Sequence, residues 1–383
     1  MKRIVILMHR WVGYLHGVQL GIADFAMQRP DWVLANTVPD TDSFKGLSTV
    51  PVDGVIAYTE RHYIPQLLAL RVPVVDISNW LDPPTFPRVV PDDEAIGRMG
   101  AEYLLDLGLK QMGVAGRTVG AYYVERRKGF MDVCARAGVP VDVYDPLAPA
   151  PPGQQTPVAI NPTLLAWLRS VPKPAGIFCS NDGMAEEILE VCRRSGIRVP
   201  EELCVLGVDN DELTTRMTHP PLSSIELHTQ KIGYEAAKLL DELLNGRPGG
   251  PGLEIKMPPV GVVARQSTNL LAIADPDVLT AVRFIRDNIH KHITVGSLLK
   301  LLPVNRRFLE RRFKEHLGRT PLQEIRRVRI EKAKELLSGT DLSMPAVAKR
   351  SGFANPERLA NVFHASIGMT PTAYRRKFRL HDF

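Results

Sequence analysis

The chain is poor in cysteine: Cys134, Cys179, Cys192 and Cys204 are the only four among 383 residues. None is spaced C-x-x-C and each lies in an apolar or helical context, so buried free thiols are expected rather than a metal site. Long apolar runs are also missing. Lys2-Arg3 is followed only by Ile4 to Met8, too short for a signal-peptide core or a membrane span and well suited to a buried strand. A cytoplasmic location with no membrane partner is therefore expected. No G-x-S-x-G, G-x4-G-K-S/T or H-E-x-x-H pattern occurs. Gly116-Arg-Thr-Val-Gly120 lacks the lysine of a phosphate-binding loop, and His290-Lys-His292 stands alone. No catalytic residue, metal ligand or cofactor is expected, and the chain reads as a non-enzyme.

What is present is a composition of 44% hydrophobic and 23% charged residues without low-complexity tracts, as in folded globular chains with two or three domains at this length. The net charge of +6 hides an asymmetry. From Asp275 to Phe383 there are 22 Lys and Arg against 11 Asp and Glu, a net of +11; residues 1–274 have 26 against 31, a net of −5. The basic segment attracts a polyanion, because each phosphate it neutralises releases a condensed counterion, whereas the acidic remainder is repelled.

Residues 1–265 alternate short apolar runs with helical patterns. Strands are expected at Ile4 to Met8, Val52 to Ala57, Val72 to Ile77, Gln111 to Ala115, Val141 to Tyr144, Gly176 to Cys179 and Leu203 to Val208, with a first helix from Gly13 to Gln28. This α/β pattern has more strands than one small sheet holds. Two doubly wound parallel lobes are expected, with crossings near Pro91-Asp92 and Pro220 to Leu227. Pro146 to Pro162 reads as an exposed loop, since its prolines resist regular structure. After a linker over 266–276, helical periodicity replaces the strand patterns, and 277–383 is expected to form an all-α domain.

Aligning the C-terminal segment with itself at an offset of 50 residues brings Leu309, Phe313, Gly318, Thr320 and Pro321 onto Leu359, Phe363, Gly368, Thr370 and Pro371, and Asn305 onto Asn355. Such a repeat means two copies of one supersecondary unit. In each copy an Asn cap precedes a helix whose Leu and Phe, four apart, face a core, and Gly and Thr-Pro end that helix. Ala346-Val-Ala348-Lys-Arg-Ser-Gly352-Phe353-Ala354-Asn355 has the small residue and the turn glycine of a helix-turn-helix unit. The first copy has Pro303 where the second has Phe353, and is the more crowded version. The candidate recognition helices are Arg306 to Glu315 and Pro356 to Ala365. The first presents Arg306, Arg307, Glu310, Arg311 and Lys314 outward, the second Glu357, Arg358, Asn361 and His364, residues suited to base edges and phosphates. Arg312 is expected to be structural. With the connecting helix Leu322 to Leu337 and the ending Gly368-Met-Thr370-Pro371-Thr-Ala-Tyr374-Arg375-Arg376, this segment resembles the AraC-type DNA-binding domain over 277–380. The resemblance implies a double-stranded DNA operator read by two helices in successive major-groove segments.

The larger part resembles the sugar-sensing domain of LacI-type regulators and the related periplasmic sugar-binding proteins. Val89-Val-Pro-Asp92-Asp93 followed by Gly97, Gly100 and Gly108 carries this resemblance, as do Phe178-Cys-Ser180-Asn181-Asp182 and Leu206-Gly207-Val208-Asp209-Asn210. Asn181, Asp182 and Asp209 follow strand ends, where open α/β sheets bind ligands; they suit either sugar hydroxyls or helix caps. Arg126, which matches better than Arg127 in Val124-Glu125-Arg126-Arg127-x-Gly129-Phe130, adds donors. Trp11, Tyr14 and Trp80 offer aromatic faces for a sugar ring or for packing between lobes.

Such a sensor ahead of an AraC-type module resembles the architecture of bacterial xylose-operon regulators. The stretches Pro200 to Leu213, Gly233 to Leu240 and Pro258 to Thr268 extend that match. The resemblance implies a sugar-responsive transcription regulator, an activator of pentose (D-xylose) genes that works as a homodimer with RNA polymerase. The alternatives are a regulator for another monosaccharide and a sugar-transforming enzyme fused to a DNA-binding domain. In the expected mechanism, sugar closes the lobes, alters a dimer interface and repositions two basic modules on adjacent half-sites.

Overall fold

Short runs of aliphatic and β-branched residues, too brief for helices, pair into two six-stranded sheets. The computed structural model describes residues 1–9, 13–47, 49–117, 120–145, 161–250, 252–269, 275–291 and 293–378. The first lobe contains β1 (Lys2–Leu7), β2 (Trp32–Thr37), β3 (Gly54–Ala57), β4 (Val74–Asp76), β5 (Arg88–Pro91) and β11 (Glu254–Met257), in the order β11-β5-β4-β3-β1-β2 and all parallel. The second contains β6 (Met112–Ala115), β7 (Val141–Tyr144), β8 (Ala175–Cys179), β9 (Leu203–Asp209), β10 (Ser223–Glu226) and β12 (Gly261–Val263), in the order β12-β10-β9-β8-β6-β7. Its strands are parallel except β12, which runs antiparallel to β10.

Helices α1 (Gly13–Ala26), α2 (Thr41–Leu47), α3 (Ile64–Ala69) and α9 (Thr229–Leu244) accompany the first sheet. Helices α4 (Asp93–Asp106), α5 (Ala121–Arg136), α6 (Pro162–Ser170), α7 (Asp182–Ser195) and α8 (Glu212–Met217) accompany the second. The chain changes lobe through α4, returns through α9 after β10, and crosses again between β11 and β12. The first two are the crossings expected near Pro91-Asp92 and Pro220 to Leu227. The third has no local sequence signal, because β11 pairs with β5, Glu254 opposite Arg88, across a long stretch of chain. Of the expected Pro146 to Pro162 loop, 146–160 lie outside the described residues. Pro162 is a correction: it opens α6, where a first-turn proline lacks only an N–H that the helix leaves unpaired, and Asn161 caps the turn.

The α4 and α5 backbones touch. A Cβ on Gly97 would lie 1.9 Å from the Arg126 carbonyl oxygen, and one on Gly129 2.1 Å from that of Glu94, so only glycine permits this approach. Gln266–Thr268 is a 3-10 turn packed on the second lobe, with Ser267 Oγ donating to the Val205 carbonyl at 2.6 Å.

The C-terminal part is helical: α10 (Pro276–Asp287), α11 (Val295–Leu301), α12 (Arg306–Leu317), α13 (Pro321–Gly339), α14 (Met344–Arg350), α15 (Pro356–Ile367) and α16 (Pro371–Phe378). It has two small cores. One gathers α10 to α12 with Ile325 of α13, the other α14 to α16 with Ile330, Ala333 and Leu337 of α13, so α13 belongs to both. The repeated Leu309 and Phe313, Leu359 and Phe363 are all buried at these centres; truncating such a side chain to Ala typically costs about 2–5 kcal/mol. Asn305 accepts from the Phe308 N–H at 2.9 Å and Asn355 from that of Arg358 at 2.8 Å, while Gly318 and Gly368 end both helices in the left-handed region. The turns differ. Four residues separate α11 from α12 but five separate α14 from α15, and the longer turn holds Gly352 at φ +76° with the Ile289 carbonyl 2.1 Å from where a Cβ would stand.

Candidate ligand cleft and DNA-facing helices

The carboxyl ends of β3, β4, β8 and β9 meet between the lobes, and their loops supply polar side chains. Arg126, on the first turns of α5, is almost wholly buried. Its Nε donates to Asp93 Oδ1 at 2.7 Å, its Nη1 to the Ser180 carbonyl, and its plane lies 5.2 Å from the Tyr122 ring. Asn79 Nδ2 donates to the other oxygen of Asp93 at 2.8 Å. Arg127 points elsewhere, pairing with Asp145 at 2.8 Å.

The three polar residues expected after strand ends are used differently. Asn181 caps α7, accepting from the Met184 N–H at 2.8 Å. Asp182 accepts from the Asp211 N–H at 2.8 Å and from Ser224 Oγ at 2.6 Å, and so holds the turn that follows β9. Asp209 forms that turn in a strained conformation, φ +108°, and no hydrogen bond to its carboxylate is formed among the described residues. Strain at such a position is characteristic of functional sites.

Trp11 lies outside the described residues. Tyr14 is buried and donates to the Ile77 carbonyl at 3.0 Å. Trp80 donates to the Tyr58 hydroxyl and meets Tyr122 edge-on, ring centres 5.8 Å apart. Tyr58, Tyr122, Asn79 and Asp93 were not singled out from the sequence. Tyr58 follows a strand end and Tyr122 sits four residues before Arg126, which are the signals that identify them.

Burial and like charge dominate the electrostatics. Burial raises both Asp182 and Asp209 well above the carboxylate range; Asp209 repels Asp182, while Arg126 partly offsets the rise at Asp209. Burial also raises Asp93 against the pull of Arg126, and Asp76, to about 6, against hydrogen bonds from Thr59 and Ser78. Burial first, then Tyr58, Asp93 and Asp209, pushes Tyr14 up, which places first-lobe and second-lobe groups in one electrostatic neighbourhood. A network of fixed donors and acceptors beside aromatic faces is suited to a small polyhydroxy ligand.

On α12, Arg306, Arg307, Arg311 and Lys314 are exposed and Glu310 half-buried. Arg306 pairs with Glu310 at 2.9 Å and Arg311 with Glu315 at 3.6 Å, exposed pairs of small energetic weight. Arg307 and Lys314 form no ion pair among the described residues. Arg312 turns inward to Asp275 at 2.6 Å and Asp277 at 3.0 Å, tying α12 to α10. On α15, Glu357, Arg358, Asn361 and His364 are exposed, opposite buried Leu359 and Phe363.

Residues 101–268 match the periplasmic binding protein-like domain family and residues 298–377 a helix-turn-helix domain family. The chain is 33% identical over 343 residues to the xylose operon regulatory protein of Haemophilus influenzae, covering 88% of this chain and 87% of that one. It is 34% identical over 331 residues to the xylose operon regulatory protein of Escherichia coli K12, covering 84% and 83%. A solved structure of the xylose-binding transcription activator xylR matches with a TM-score of 0.62 at 30% identity, covering 98% of each chain. No helix among the described residues is long and apolar enough to cross a membrane. With a two-lobed α/β domain, twin helix-turn-helix units and matches along most of its length, the chain belongs to the family of xylose operon regulatory proteins, transcription regulators with a periplasmic-binding-protein-like sensor and an AraC-type DNA-binding domain.

Proposed function

We propose that the chain is a cytoplasmic, homodimeric activator of pentose catabolic genes that takes D-xylose between its lobes and contacts RNA polymerase at its promoters. The observation that carries the effector reading is Arg126, fixed by Asp93 and the Ser180 carbonyl, beside Asp209; among the described residues the Arg126 Nη2 has no partner and the Asp209 carboxylate accepts no hydrogen bond. One donor and one acceptor fixed in advance on the second lobe match adjacent sugar hydroxyls, and Trp80 with Tyr14 closes the first-lobe side. The names of the relatives and of the solved neighbour supply the pentose. Asn181 and Asp182 support the pocket. Arg306, Arg307, Glu310, Arg311 and Lys314 face one segment of DNA, and Glu357, Arg358, Asn361 and His364 the next. We assign 1–265 to the sensor, 266–276 to the linker and 277–383 to the DNA-binding domain.

A thermal-shift screen of aldopentoses and aldohexoses tests this. D-xylose at 100 times its Kd stabilises the native sensor by about 2.7 kcal/mol, and the sugar is recovered unchanged, as befits a non-enzyme. A shift with a hexose and none with D-xylose replaces the pentose assignment; turnover replaces the sensor reading.

A further inference from the structure

The two ends of α4 have different attachments. At its start, inside the cleft, Asp93 accepts from Arg126 and Asn79. At its finish, Asp106 is held by the DNA-binding domain. Arg319 Nη1 and Arg327 Nη1 donate to its two carboxylate oxygens at 3.0 and 3.1 Å, and Arg319 Nη2 to its main-chain carbonyl at 2.8 Å. An acidic side chain at a helix C-terminus faces the negative end of the dipole; two guanidinium groups turn that repulsion into an attachment. A helix of this length spans about 20 Å.

The receiving surface is preformed. Glu324, buried in the first turn of α13, accepts from Arg319 Nε at 2.6 Å and Arg327 Nη2 at 2.9 Å, orienting both toward Asp106. A second route runs alongside. The Tyr103 hydroxyl, one turn before Asp106, shares a 2.7 Å hydrogen bond with Thr268, and Thr268 bonds Ser223 at 2.7 Å. The next residue, Ser224, donates to Asp182 and accepts from the Asn210 N–H at 3.0 Å. Because α4 and α5 touch backbone to backbone at Gly97 and Gly129, a shift of α5 is passed to α4 and so to Asp106.

We propose that α4 is the coupling rod between the cleft and the DNA-binding domain, and that the clamp of Arg319 and Arg327 on Asp106 is the joint through which sugar occupancy reaches the recognition helices. This rests on the sugar-sensing reading above. Coupling requires an element whose arrangement both sites bias, and the clamp is a contact between the two domains whose opposite end lies in the cleft.

Hydrogen exchange of the full chain with and without saturating D-xylose tests the proposal. In the wild type, sugar changes the exchange rate across 319–330 by about fivefold or more, within the usual range of coupling between sites. In Asp106→Ala, D-xylose still binds and 356–367 keeps its protection, but the sugar-dependent change in 319–330 is lost. Arg319→Gln, which leaves Arg327 on Asp106, gives an intermediate change. A change in 319–330 that survives Asp106→Ala overturns the role of the clamp, as does a wild-type response confined to 1–268. Failure of D-xylose and the other aldopentoses to bind the wild type overturns the sensing reading, and the proposal with it.

Discussion

Asp182 and Asp209 stand at the carboxyl ends of neighbouring strands yet do opposite work. Asp182 uses both oxygens to hold the turn after β9, whereas Asp209 makes no such bond among the described residues. Burial, reinforced at Asp182 by repulsion from Asp209, keeps both protonated well above the pH at which an unfolded carboxylate ionises. The native state therefore binds more protons than the unfolded one from about pH 4 up to neutrality, and stability falls as pH rises through that window. The Tm of the unliganded protein is expected to drop between about pH 5 and pH 8, and Asp209→Asn to flatten the profile; a flat wild-type profile would refute the assignment. At pH 8, above the range in which Asp209 holds its proton, sugar hydroxyls donate to the ionised carboxylate, so Asp209→Asn should weaken D-xylose binding there about 10- to 100-fold by calorimetry. Asp209 is legible in the sequence as an acid at a strand end. Asp93 is not, because Asn79 and Arg126 lie 14 and 33 residues away and its own neighbourhood reads as a helix start.

At the scale of elements, the two lobes come close at the start of α1, where a Cβ on Gly13 would stand 1.8 Å from Asp211 Oδ2. Asp211 cannot readily give way, since its other oxygen caps α8 by accepting from the Thr214 N–H at 2.7 Å. Gly13→Ala should therefore hold the lobes apart. Overpacking costs of about 1–3 kcal/mol fall on the closed form, so D-xylose affinity should drop about 5- to 150-fold while Gly46→Ala, facing open space, changes nothing. Calorimetry of both variants checks this, and an unchanged affinity for Gly13→Ala would show that closure does not use this contact. The recognition helices were readable because each copy repeats its own cap, core pair and stop. Strands β2, β5, β10, β11 and β12 are not, since four are short, β11 is half charged and β12 has only three residues, both at sheet edges. Their pairing is set by partners distant in the chain.

Taken whole, the molecule separates its charge: an acidic sensor at net −5 and a basic tail at net +11. That division was visible in the composition, whereas the clamp on Asp106 was not, because nothing local distinguishes an acid on the last turn of a helix from a solvated one. Binding to DNA should weaken linearly in log affinity against log salt, and Arg307→Ala should reduce the slope by about 0.9 without altering sugar affinity. A slope unchanged in that variant would remove Arg307 from the phosphate contacts. The two outward helix faces described above are unlike, one crowded with arginine and the other offering a glutamate, a single arginine, an asparagine and a histidine. A reader built this way has a sense of direction: turned end for end, the same base pairs present the arginine-rich helix with the bases meant for its neighbour. Each chain should therefore prefer one polarity of its site on the promoter. Inverting a single half-site should abolish binding there as surely as mutating it.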